Sequence, residues 1–172
     1  MHKLLLMITL VFSSISMAGT AYDFELVDTK GKKIESKQLK GKVTMFVNIA
    51  TRCGYTGQLG DIEKLYQEYK DKGLMVVGIP SNDFGEQTPE NGEDINKFCR
   101  LKYGASFPII KKTPVTGKEK HPLVKYLTSD KKEIGWNFEK FVVDKNGKLI
   151  KRFGSSTKPM SDELVEVIKK NL

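Results

Sequence analysis

Two cysteines, Cys53 and Cys99, are the residues of this chain best equipped for chemistry, and they stand far apart in the sequence. A thiol can staple a fold, ligate a metal or attack an electrophile, and attack requires the thiolate. In an exported chain the first guess for such a pair is a structural disulfide. The position of Cys53 points elsewhere. It follows an apolar run, Val43 to Ala50, and precedes a helical pattern that opens near Gly57. In open α/β sheets chemistry gathers at the carboxyl ends of strands. A helix N-terminus there offers free N–H groups and partial positive charge, which favour thiolate over thiol. Arg52 adds a neighbouring cation. Cys53-Gly54-Tyr55-Thr56 reads C-x-x-T, so the second thiol of a dithiol oxidoreductase is missing. One sulfur at that place can still be oxidised by a peroxide to a sulfenic acid. Such an attack needs donors for the anion and the departing oxygen, and uncharged amide or indole N–H groups suit the task.

The elements that must position Cys53 follow from periodicity. Val43 to Ala50 is apolar on both phases except for Thr44 and Asn48, the pattern of a strand covered on both faces. Gly57 to Lys72 places Leu59, Ile62, Leu65, Tyr66 and Tyr69 at helical spacing, with Gly73 as a stop. Leu74 to Ile79 is a second buried strand, which completes a right-handed β–α–β unit. After Pro80 come a polar loop and a helix from about Glu93 to Lys102, the element that carries Cys99. Phe107 to Ile110 is a short extended piece, and His121 to Leu127 a short helix. Phe138 to Val143 and Lys148 to Phe153 flank Asp144-Lys145-Asn146-Gly147, a hairpin whose Asn-Gly favours a primed turn. Ser161 opens a terminal helix with Leu164, Val165 and Ile168 on one side. Tyr22 to Val27 and the turn Asp28-Thr29-Lys30-Gly31 predict an N-terminal hairpin. The order βαβ then ββα predicts an α/β thioredoxin-like fold, a central mixed sheet flanked by helices.

With 172 residues, one domain is the default. The first stretch differs in kind. Met1-His2-Lys3 is a short basic start, Leu4 to Phe12 is apolar apart from Thr9, and small residues lead to Ala18. This is the pattern of a signal peptide over 1–18, which implies export of the domain 19–172 to a periplasmic or extracellular space. The formal charge of +8 falls to +7 without Lys3. Its lysines are scattered without interleaved aromatics, so nucleic acid is not indicated, while contact with anionic lipid surfaces stays compatible. His2 leaves with the leader and His121 has no ligand at zinc spacing, so neither metal nor cofactor is expected.

Beyond these local patterns the chain resembles the glutathione peroxidase family over most of residues 22–172. Val47-Asn48-Ile49-Ala50-Thr51-Arg52-Cys53-Gly54-Tyr55-Thr56 is similar to the family's active-site segment, with cysteine where some members carry selenocysteine. Gly78-Ile79-Pro80-Ser81-Asn82-Asp83-Phe84-Gly85-Glu86-Gln87-Thr88-Pro89 resembles its second motif, and Trp136-Asn137-Phe138-Glu139-Lys140-Phe141 its third. The resemblance implies a catalytic tetrad of Cys53, Gln87, Trp136 and Asn137: one nucleophile and three uncharged donors. Cys99 aligns with the cysteine that resolves the sulfenic acid in thioredoxin-dependent members. Ser81 stands where many non-selenium members have another cysteine. The span from Pro108 to Trp136 lacks the long insertion of tetrameric members, which implies a monomer with an open site.

The function so implied is reduction of hydrogen peroxide and of organic or lipid hydroperoxides through a Cys53 sulfenic acid. Cys99 then resolves it, and a thioredoxin-like protein donor recycles the enzyme. Two alternatives stay open on sequence alone: a glutathione-dependent peroxidase that does not use Cys99, and a non-catalytic exported domain stapled by Cys53–Cys99. If Cys99 resolves, its helix must partly unravel, because a disulfide needs Cα atoms within about 7 Å.

Overall fold

The computed structural model describes residues 19–130 and 132–172, so the leader predicted over 1–18 lies outside the described residues. Val43–Ile49 forms β3 and Leu74–Pro80 forms β4, both buried along their whole length. They pair in parallel, Val43 opposite Leu74 through Ile49 opposite Pro80. The helix α1, Gln58–Tyr69, makes the crossover, and a 3-10 turn over Lys70–Lys72 ends on left-handed Gly73. This is the predicted β–α–β unit. β5 (Lys140–Val143) lies antiparallel on the other side of β3, and β6 (Leu149–Phe153) pairs with β5. The sheet order is β4-β3-β5-β6.

Alternation along β3 divides the interior. Val43, Met45, Val47 and Ile49 face a core with Leu59, Ile62 and Leu65 of α1 and Leu164 and Ile168 of the terminal helix α4 (Asp162–Asn171). Ile95 and Cys99 of α2 (Glu93–Tyr103) join that core. Phe46, Val77, Ile79, Phe141 and Val143 face the opposite one, closed by Leu123, Val124 and Leu127 of α3 (Pro122–Leu127) and by Tyr22 and Leu26. Burial on both faces is why β3 and β4 read as continuous apolar runs.

Local expectations fail in five places. The N-terminal hairpin exists, but its strands β1 (Leu26–Val27) and β2 (Lys33–Ile34) have two residues each. Tyr22 instead sits in a 3-10 turn, Ala21–Asp23, where its hydroxyl reaches the carbonyls of Lys42 (2.6 Å) and Asp144 (2.8 Å). Burial pushes that phenol up to about 12. The strand predicted from Phe138 begins only at Lys140, because Phe138 has φ 67°. The Asn-Gly turn is not primed. Gly147 alone is left-handed, at φ 82°, and its N–H closes on the Asp144 carbonyl (2.9 Å). Asp144 Oδ1 takes the amides of Asn146 and Lys148, which stabilises a turn with a left-handed third residue instead. Ser161 occupies the cap position of α4, yet its hydroxyl makes no cap bond. The piece at Phe107–Ile110 reduces to single bridges, Ile109 to Gly78 and Ile110 to Asp28.

Candidate active site

Cys53 lies just past the end of β3, in a run of tight turns that feeds α1. Amides of Thr56, Gln58, Leu59 and Gly60 each close on the carbonyl three residues back. The Cys53 N–H donates to Thr56 Oγ1 (2.9 Å), and that hydroxyl donates to the Ala50 carbonyl (3.0 Å). Thr56 thereby ties the turn to the strand end, a second role for the C-x-x-T spacing. The Tyr55 N–H points to Cys53 Sγ at 3.4 Å, a neutral donor of the kind a sulfur anion needs. Cys53 is 9% exposed, so only a small part of it meets solvent.

Three separated loops converge on this strand end. The carbonyl of Gln87 accepts the amides of Thr51 (3.1 Å) and Arg52 (2.9 Å), which fastens the second motif to the two residues before Cys53. Buried Asn137 donates from Nδ2 to Gln87 Oε1 at 3.0 Å. That contact occupies the acceptor of the Gln87 amide and leaves its Nε2 hydrogens available. Asn48 of β3 holds the third motif by its main chain. Its Nδ2 donates to the Trp136 carbonyl (3.4 Å), and its carbonyl accepts the Phe138 amide (2.6 Å). The Trp136 ring is 41% exposed and packs on Phe84, centroids 5.6 Å apart. Gln87 and Asn137 are each flanked by a left-handed non-glycine residue, Glu86 (φ 53°) and Phe138 (φ 67°). Such conformations cost about 1–3 kcal/mol each and persist where surrounding contacts over-determine them.

Cys99 is placed differently. It is fully buried on α2, in the apolar cluster to which Cys53 also belongs, and both thiols are free. Burial, with a smaller contribution from the charge of Glu90, pushes the Cys99 thiol up to about 12. The staple alternative, which needs a bond between the two sulfurs, has none here.

Several contributors take roles that the sequence did not assign them. Arg52 does not serve Cys53 as a loose cation: its Nε (3.2 Å) and Nη2 (2.9 Å) both donate to Glu90. Thr51 Oγ1 also donates to Glu90. Burial raises the Glu90 carboxyl, but the bonds from Thr51, a backbone amide and Arg52 outweigh it and hold it below the usual range. Lys112 Nζ clamps the same loop through the carbonyls of Thr88 (3.0 Å) and Glu90 (2.9 Å). Lys140, fully buried, donates to Ser155 (3.2 Å) and Thr157 (2.5 Å) carbonyls, and Gln58 at the opening of α1 shares the Ser155 carbonyl (2.8 Å). Thr51, Arg52 and Lys140 lie within the quoted motifs, but no local pattern pairs any of them with these partners. Among the described residues no cluster of three or more metal-ligating side chains occurs.

The model of the family described as glutathione peroxidase matches residues 21–128, more than half of the chain. The chain belongs to the glutathione peroxidase family. Glutathione peroxidase-like peroxiredoxin 2 of Saccharomyces cerevisiae is 48% identical over 151 residues, 84% of this chain and 93% of the relative. A glutathione peroxidase of Lactococcus lactis subsp. cremoris is 43% identical, over 88% of this chain and 98% of that one. The crystal structure of T. cruzi GPX1 superposes with a TM-score of 0.69 at 31% identity, covering 89% of this chain and 94% of that one. A thioredoxin family thiol:disulfide interchange protein from Chlorobium tepidum matches at a TM-score of 0.65 and 22% identity, over 84% of this chain and 92% of that one, which bears on the fold alone. As a member of the glutathione peroxidase family with a thioredoxin-like fold, this chain is a thiol peroxidase.

Proposed function

We propose that Cys53 is the peroxidatic nucleophile and that Gln87, Trp136 and Asn137 stabilise the charges that its reaction develops. The observation that carries this reading is the fastening of the Gln87 carbonyl to the amides of Thr51 and Arg52, with the Gln87 side chain oriented by Asn137. A sulfur lone pair attacks the nearer oxygen of ROOH, the O–O bond breaks, and the departing alkoxide takes a proton and leaves as ROH. Sulfur is oxidised by two electrons to the sulfenic acid and the peroxide is reduced by two. Uncharged amides and an indole can hold both anions without pairing with the thiolate so tightly that attack is blocked.

Cys99 is the resolving thiol in this cycle. Its sulfur attacks that of Cys53, the S–O bond breaks and water leaves, giving a disulfide that an external dithiol reduces. A thioredoxin-like protein donor fits relatives that carry the name peroxiredoxin. Tyr55 and Trp136, large apolar side chains exposed at 37% and 41%, support acceptance of bulky organic and lipid hydroperoxides. Export is supported by the leader pattern at 1–18, and peripheral contact with anionic lipid by the charge of +7 on residues 19–172. A monomer is in keeping with the short span from Pro108 to Trp136.

Mass spectrometry before and after one equivalent of peroxide tests the cycle. The wild-type protein should lose two hydrogens as the Cys53–Cys99 disulfide forms, while Cys99→Ser should gain one oxygen on Cys53. A Cys53 that stays unmodified would overturn the assignment. Rates with a thioredoxin-like donor should exceed those with glutathione.

A further inference from the structure

The helix that carries Cys99 begins without a cap. Its N-cap position is Gly92, at φ 48°, which has no side chain to accept the orphan amides. Of its residues only Ile95 and Cys99 are fully buried, and Leu101 is 88% exposed. Few buried contacts and an uncapped end mark an element that opens locally at low cost. Ile95 anchors the first turn in the core, and the polar restraint on the opening end lies just upstream, at Glu90. Its carboxylate takes the Thr51 hydroxyl and Nε and Nη2 of Arg52, and its carbonyl takes Lys112 Nζ. Glu90 thus joins the leader of α2 to the two residues immediately before Cys53. Its charge is felt at the Cys99 thiol as well, second to burial.

We propose that Glu90 is a latch for resolution: its carboxylate pins the α2 leader to Thr51 and Arg52, and its release lets α2 fray so that Cys99 reaches Cys53. The inference rests on the reading of Cys99 as the resolving thiol. The step balances with peroxide as the sole oxidant. The S–S bond forms, the S–O bond of the sulfenic acid breaks, and the hydroxyl leaves as water with the proton of the Cys99 thiol. Glu90 touches neither sulfur nor peroxide and acts as a positioning residue. A tight latch prolongs the sulfenic acid and so exposes Cys53 to a second peroxide, which gives the sulfinic acid.

Quenched single-turnover experiments on Glu90→Ala and Glu90→Gln separate the two steps. Sulfenic acid formation is timed separately in each variant, because Glu90 also bonds Thr51 and Arg52 beside Cys53, and closure is read as the rate at which sulfenic acid already formed becomes disulfide. Disulfide closure should be about tenfold faster in Glu90→Ala, the loss expected for a charge-assisted hydrogen bond, and intermediate in Glu90→Gln. Sulfinic acid at high peroxide should fall in the same order. Amide hydrogen exchange over residues 93–99 of the reduced protein should accelerate in parallel. Closure equal to or slower than wild type in Glu90→Ala, or unchanged exchange over 93–99, overturns the latch. A wild-type protein that never forms the disulfide removes the resolving role of Cys99, and the exchange measurement then still decides whether Glu90 restrains α2.

Discussion

Cys53 and Cys99 share a side chain and an apolar cluster, yet the fold prepares them for opposite behaviour. Cys53 stands where a buried strand gives way to tight turns, with an amide on its sulfur and the Gln87 loop bonded to the two residues before it. Cys99 is enclosed within a helix, its carbonyl taking the Ala105 amide, and its thiol is pushed up to about 12 by burial and by Glu90. Reactivity is therefore a property of the backbone around a thiol: loop ends present unpaired donors, and a helix interior spends its own on itself. In the proposed cycle, a Cys99 kept unreactive until its helix opens is protected from peroxide in the meantime.

The contrast breaks most visibly by substitution of the sulfurs. Cys53→Ser should lower steady-state peroxide turnover by about a thousandfold or more, since the alcohol is a far weaker nucleophile. Cys99→Ser should reduce one equivalent of peroxide and then stall with a dithiol donor. Full turnover by Cys99→Ser would erase the distinction between the two thiols. Native alkylation at pH 8 sharpens it: iodoacetamide should label Cys53 at least about a hundredfold faster than Cys99, and the gap should close in denaturant. Comparable native rates would show that α2 is already open. Asn137→Ala removes the partner of Gln87 Oε1 and should slow sulfenic acid formation about tenfold or more, leaving Cys99 labelling unchanged.

The smallest effect concerns the loop over the opening of α1. Burial holds Lys140 at about 8 against 10.5 in the unfolded chain, so between these values the unfolded chain binds more protons and stability rises with pH. Cys99, raised from 9 to about 12, acts in the opposite sense above pH 9, and Tyr22, raised from 10 to about 12, does so above pH 10. The interval from pH 8 to 9 therefore isolates Lys140. Over that unit the stability of wild type relative to Lys140→Met, from urea unfolding, should grow by about 1 kcal/mol. A flat difference would mean that the ammonium is not held as described.

Much of this architecture was legible along the chain. β3, α1 and β4 show in their periodicity, and Gly73 marks a helix end and is left-handed as a stop requires. The three motifs named Gln87, Trp136 and Asn137 but not how they meet. That Asn137 holds the Gln87 amide, or that Asn48 clamps both sides of Asn137, depends on loops far apart in sequence. Glu90 lies in the polar loop after Pro80 and Lys140 in a predicted strand and motif, and neither position announced its partners. The left-handed Phe138 broke the expected strand start for the same reason, since its amide is claimed by Asn48 across the sheet.

By itself the sequence determined where buried strands run, where α1 starts and stops, and hence that Cys53 sits at a strand-to-helix junction. Those features follow from alternation and from glycine stops within a few residues, so they need no distant partner. Only the tertiary structure decided which donors meet near that junction, that Glu90 binds Thr51 and Arg52, and that Cys99 is fully buried in the core. Each of these is a hydrogen bond or a burial between segments brought together by the sheet, and no local period encodes which loop will lie beside which.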